Sequence, residues 1–168
     1  MNIKGFFAIA LVTLLSVVNG EAAVQEVDTI ARELQVVNFS SKLTNAINMK
    51  RAEKGLKAVC MNSKLMKAAQ IQANDMAKNS FVNTRGSDGS IPTVRYKKQG
   101  FTPTRSAEMV GAGYVSVDAV VAAWIKSAGA YLYSDLKFIG TGYKYDSTKL
   151  YKHYWVLDMA NANGEVCG

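Results

Sequence analysis

The apolar residues of this chain keep three different rhythms, and each predicts a different kind of element. Gly5 to Val18 is apolar almost throughout, with Phe6, Phe7, Leu11, Leu14 and Leu15. It follows a short basic start, Met1 to Lys4, and precedes small residues at Gly20, Ala22 and Ala23. Basic, then apolar, then small is the order of a secretory leader, here over residues 1–22. The run is shorter than the roughly 20 residues that span a bilayer. The spacing then changes to threes and fours. Leu43, Ala46 and Ile47 predict a helix from a cap at Ser40 or Ser41 to about Lys54, closed by Gly55. Leu65, Ala69 and Met76, beside Met66, Ala73 and Ala77, predict a second from a cap at Ser63 to about Lys78. Val117, Val120, Val121, Trp124 and Ile125 predict a third. Asp118 is its expected cap, and Ser127-Ala128-Gly129-Ala130 its expected end, with Gly129 left-handed.

Between the second and third helices, Phe81 to Gly100 reads as loop. Asp88-Gly89 and Pro92 mark turns, with room for a short helix around Thr93 to Gln99. Towards the C-terminus the rhythm becomes alternation. Phe138 to Tyr145 and Tyr151 to Met159 predict two strands joined by a hairpin at Asp146 to Lys149. Helices in front and an antiparallel pair behind define an α+β domain. No linker or repeat divides it, so the expected organisation is a leader (1–22), an arm (23–39) and one domain (40–168).

Composition changes this picture in two places. The formal charge is +7, and about +6 remains once a leader holding Lys4 is removed. The basic residues are scattered, which reads as a solvated surface. The alternative is peripheral contact with an anionic surface. Two cysteines, Cys60 and Cys167, in a chain addressed to the outside predict a disulfide. Asn38-Phe39-Ser40 is a glycosylation sequon, making Asn38 a modification candidate.

Chemistry is thinly represented. Gly140-Thr-Gly142 and Gly111-Ala-Gly113 lack the third glycine of a dinucleotide loop and read as sites of close strand packing. The one histidine, His153, stands in a strand without the partners a base or a metal ligand needs and reads as structural. Glu108 is the carboxylate expected to line a cleft, its plain alternative being a hydrogen-bonded structural carboxylate.

At this point Asn48-x-x-Arg51-x-x-x-Gly55-Leu56 and the helix bearing Leu65, Ala68-Ala69, Ala73 and Met76 carry a resemblance. It continues through Asp88-Gly89, Arg95, Gly100, Ala107-Glu108, Trp124-x-x-Ser127-x-Gly129, Ile139-Gly140-x-Gly142-Tyr143 and Tyr154-Trp155. In order and spacing these residues resemble the CAP superfamily in its short SCP-like form. The resemblance implies a secreted, extracellular three-layer α-β-α sandwich with a central antiparallel sheet and a cleft. It places Asn83, Glu108, Ser127 and Ala130 in that cleft as ligand-binding candidates. The family cleft typically holds two histidines, and some members bind a divalent metal there. Here Asn83 and Ala130 stand where the histidines are expected, so no metal and no cofactor is expected. The resulting expectation is a non-enzymatic binding module. Its partner would be lipid or sterol, a glycan, or a wall or host protein, and not nucleic acid. The alternatives are a hydrolase acting through Glu108 and an effector that works through its surface alone.

Overall fold

A computed structural model describes residues 22–27 and 38–168. The expected leader, apart from Ala22, and most of the expected arm lie outside the described residues. The chain divides into two compact units, Met1–Val37 and Asn38–Gly168. Of the first, residues 22–27 are helical and exposed. All that follows concerns the second.

Its first helix, α1, covers residues 38–52 and so includes Asn38 and Phe39. Ser40 and Ser41 lie within it, not at its cap as expected, and Ser40 is buried with Leu43, Thr44, Ile47 and Arg51 on one face. Gly55, at φ 67°, supplies the left-handed turn after it. The Asn48 and Arg51 of the resemblance now have physical roles. Asn48 pairs with both backbone groups of Val59, each at 2.9 Å. Buried Arg51 donates to Lys57 O and Ser134 O at 2.9 Å, fastening the end of α1 to the chain beyond the last helix.

Strand β1 (Cys60–Met61) is too short for any periodicity to announce it. Helix α2 (Ser63–Asn79) is capped by Asn62 in place of the expected Ser63, because the Asn62 side chain accepts from the Lys64 and Leu65 amides. Helix α3 (Pro92–Lys98) occupies the expected loop, and Gly100 at φ 78° turns the chain out of it. Strand β2 (Arg105–Ala112) leads to helix α4 (Val117–Leu132), whose cap is Ser116 through Ala119 N and not Asp118. The expected end at Ser127–Ala130 is instead a kink, with Ala128 at φ −144°. The helix resumes because buried Leu132 anchors a further turn, and Gly129 is not left-handed. Strands β3 (Phe138–Tyr145) and β4 (His153–Asn161) close the fold.

The sheet order is β1-β3-β4-β2, antiparallel throughout except for the short parallel β1. One face packs on α2 and α3. The other packs on a core shared with α1 and α4, where Leu43, Ile47, Val121, Trp124, Trp155 and Leu157 meet. Both faces of β4 are therefore buried, which is why its two alternating sets are each largely apolar.

The glycines of β3 set the thickness of the α2 layer. A Cβ on Gly140 would lie 2.3 Å from the backbone of Leu65, and one on Gly142 would lie 2.3 Å from Ala69 O. The expected close packing holds there. Gly113 differs, since its φ of 81° makes it a turn residue. The disulfide forms as expected: Cys60 and Cys167 are joined with Cα atoms 5.6 Å apart across 107 residues. Asn62 and Lys64 hold the same tail through Glu165 at 3.0 and 2.6 Å.

Candidate functional site

Two places could carry function. The first surrounds Glu108, which β2 aims inward against Asp158 of β4, its register partner. The Glu108 side chain, the expected cleft carboxylate, is 0 % exposed. Buried Arg95, from α3, donates through Nη2 to both of its carboxylate oxygens at 2.7 Å. The same guanidinium holds Thr84 O at 2.9 Å and Ser90 O at 3.0 Å, so it also pins the loop that follows α2. Tyr96, the next residue of α3, donates its hydroxyl to Asp158 Oδ1 at 3.0 Å. No other protein donor reaches Asp158 Oδ2.

These four groups settle their own charge. Burial pushes both carboxyls above the ordinary range. For Glu108 the hydrogen bond from Asp158 and the charge of Arg95 oppose that rise. For Asp158 the neighbouring Glu108 adds to it. Asp158 is therefore held towards its protonated form, hydrogen-bonded to the Glu108 carboxylate. Arg95 and Glu108 form a neutral pair beside a neutral acid, the arrangement that makes so much buried polarity tolerable. Burial also drives the Tyr96 phenol upward, so it stays a donor.

The other expected cleft residues, Asn83, Ser127 and Ala130, are all exposed. Asn83 is exposed, but its backbone carbonyl accepts from buried Gln72 at 2.6 Å and its loop is tied to Glu108 through Arg95. Ser127 is exposed and donates to Ala123 O of its own helix at 2.9 Å. Ala130 is exposed past the kink in α4. The donor set does not fit a divalent metal: the carboxylate is already neutralised by Arg95, and an amide and a methyl group stand at the other two positions. Among the described residues no group of three or more His, Cys, Asp or Glu could hold a metal. His153 stands elsewhere, its Nδ1 2.8 Å from the Tyr143 hydroxyl in an aromatic cluster with Tyr145.

The second place is a groove of about 520 Å³ between α1 and α4. Ala46, Met49, Val121, Ala122 and Ile125 line it, with Lys50 and Asp118 adding charge. Met49 is 67 % exposed there. Sequence reading placed Ala46, Val121 and Ile125 on buried helix faces and Asp118 at a cap, but saw no opening there. The one available signal was Met49 and Lys50, which share α1 with a face already filled by Leu43 and Ile47.

Residues 44–159 match the family model described as CAP, the cysteine-rich secretory protein family. With the layered fold and the Asn48, Arg51 and Trp124 frame, this chain belongs to that family. An extracellular protein of Bacillus anthracis containing an SCP domain superposes with a TM-score of 0.66 at 12 % identity. The match covers 74 % of this chain and 41 % of that one, so the chain spans about two fifths of that protein's length. An outer surface protein of Borrelia burgdorferi also gives 0.66 at 20 % identity, over 73 % of this chain and 92 % of that one. A cysteine-rich secretory protein of Staphylococcus aureus gives 0.57 at 22 % identity, over 74 % of this chain and 38 % of that one. No curated protein matches the chain. The structural neighbours are described as extracellular, outer-surface or secretory proteins. No helix among the described residues is long and apolar enough to cross a membrane.

Proposed function

We propose that this is a secreted, non-enzymatic binding protein that takes an apolar ligand, of the lipid or sterol class, in the groove between α1 and α4. The observation that carries the reading is the groove itself: an opening of about 520 Å³ walled by Ala46, Val121, Ala122 and Ile125. A few charged groups beside a mostly apolar wall suit an amphipathic molecule, with Lys50 or Asp118 facing its polar end. The state of Glu108 supports the absence of catalysis. A general base must reach its proton with a free lone pair, and both Glu108 oxygens face Arg95.

The test is a titration with fluorescent fatty-acid and sterol probes, beside a panel of ester, peptide and glycoside substrates. Saturable probe binding should be lost in Ala46→Trp, which fills the groove, and kept in Ala130→Trp, whose site lies outside it. Binding indifferent to Ala46→Trp overturns the placement. Turnover that vanishes in Glu108→Gln while that variant stays folded by circular dichroism overturns the non-enzymatic reading.

A further inference from the structure

At one end of the sheet two loops come together. The loop from β2 to α4 carries Tyr114 and Val115, and the β3–β4 hairpin carries Tyr145, Leu150 and Tyr151. All five are exposed, Val115 and Leu150 at 76 % and 75 %. The loops are joined, not merely near. Gly113 N donates to His153 O at 2.9 Å, and Trp155 Nε1 donates to Tyr114 O at 2.8 Å. The Tyr151 ring lies 3.9 Å from where a Gly113 Cβ would stand. Single exposed apolar residues are ordinary, but five on two joined loops are a feature.

The hairpin is built to hold its tip out. Asp146 accepts the Thr148 amide at 3.0 Å and its hydroxyl at 2.6 Å, and its own amide donates to Lys152 O at 2.8 Å. Lys152 sits at φ 60°, a left-handed conformation that a lysine seldom adopts. A strained residue of this kind persists where the surroundings impose it, and such residues cluster at working sites. Lys144 and Lys152 flank the tip, both exposed. Lys149 also belongs to it and donates to Lys78 O at 2.9 Å. Against these three lysines the hairpin sets one aspartate, Asp146, whose carboxylate is occupied by Thr148.

We propose that this end of the sheet docks on an anionic membrane surface. Leu150 and Val115 enter the boundary of the acyl region. The tyrosines sit at headgroup level, ring inward and hydroxyl in water, the position such side chains favour. The lysines lay their stems along the apolar tip and present ammonium groups to lipid phosphates and carboxylates. A glycan would use the flat aromatic faces but gives the two prominent aliphatic side chains nothing to do. Lysine charge with aliphatic tips is complementary to an anionic bilayer. The surface is separate from the groove, so Ala46→Trp is expected to leave docking intact.

The experiment sediments the full chain with vesicles of phosphatidylcholine alone and with phosphatidylserine mixed in. Binding should favour the phosphatidylserine vesicles. The pair Val115→Asp with Leu150→Asp should weaken it by roughly tenfold or more, since two aliphatic side chains lose their burial. Lys144→Glu with Lys152→Glu should abolish the preference for phosphatidylserine. As a readout at the tip itself, Leu150→Trp should shift its emission to the blue with phosphatidylserine vesicles and not with phosphatidylcholine. Equal binding to both vesicles, or an unshifted Leu150→Trp, overturns the proposal. So does binding weakened by the lysine changes but not by the aspartates and competed by heparin, which would mark a site for a soluble polyanion.

Discussion

Replacing Asp158 with asparagine tests the charge state of the buried cluster directly. Asparagine keeps the shape. Its amide nitrogen can donate to Glu108 as the carboxylic acid does, and its oxygen can accept from Tyr96. The substitution therefore removes one titration and little else. An acid whose folded pKa is raised contributes stability that is complete below its unfolded value, about 3.9, and is lost as pH rises towards the folded value. Asp158 is such an acid, pushed up by burial and then by Glu108. Across that window the unfolded chain releases a proton that the folded protein retains. Wild-type stability should thus fall by about 1.4 kcal/mol per pH unit from this group alone. In Asp158→Asn that slope should be missing. The two proteins should be nearly equal near pH 4 and diverge above it, with the variant the more stable. The assay is denaturant unfolding with the disulfide intact at a series of pH values, and subtracting the curves removes every other titration. Parallel curves from pH 4 to 7 would refute the shared proton. As a control, Glu108→Gln strands the Arg95 charge in the interior, a loss of roughly 3–5 kcal/mol when a buried pair is broken from one side.

Two further outcomes follow from packing and the cross-link. Gly140→Ala or Gly142→Ala should each cost at least about 1–3 kcal/mol in chemical denaturation, because the new methyl meets helix backbone and no flexible side chain; an unchanged midpoint would contradict the α2–β3 contact. Replacing Cys60 and Cys167 together by serine should cost up to about 4–5 kcal/mol, the loop-closure value for a cross-link spanning 107 residues, and reduction of the wild type should lower the urea midpoint equally.

The fold was largely legible because its elements announce themselves by period. The β3 strand occupies the residues that its alternation marks, Phe138 to Tyr145, and the stripe of α2 is the buried one. Caps were misplaced by one or two residues where polar neighbours competed. Asn62 precedes Ser63, and Ser116 precedes Asp118, and only the backbone entry angle decides which side chain turns back. The end of α4 was misread because Gly129 looks like a stop, while the anchoring of Leu132 is a tertiary fact. The site was less legible. Arg95 was visible only as part of a resemblance. Asp158 looked like one polar residue in an alternating strand, and nothing local says that 158 lies opposite 108. The useful signal was present all the same: a strand with two apolar faces that still contains an acid has to satisfy that acid inside.

Glu108 then bears on what the protein does. With imidazoles absent at 83 and 130, the family carboxylate has no neighbour there to exchange a proton with. What remains around it is Arg95, Asp158 and Tyr96: both Glu108 oxygens accept from Arg95, and Asp158 Oδ1 accepts from Tyr96. To act as a base Glu108 would have to leave Arg95. The uncompensated cation would then sit against Thr84 O and Ser90 O in a buried pocket, and the loop after α2 would lose its fastening. The contacts that stabilise the cluster are the ones a catalytic role for Glu108 would have to break, which supports the proposed non-enzymatic reading. On the proposed reading a ligand enters instead by the apolar groove between α1 and α4, which Ala46, Val121 and Ile125 wall and which shares no residue with this cluster.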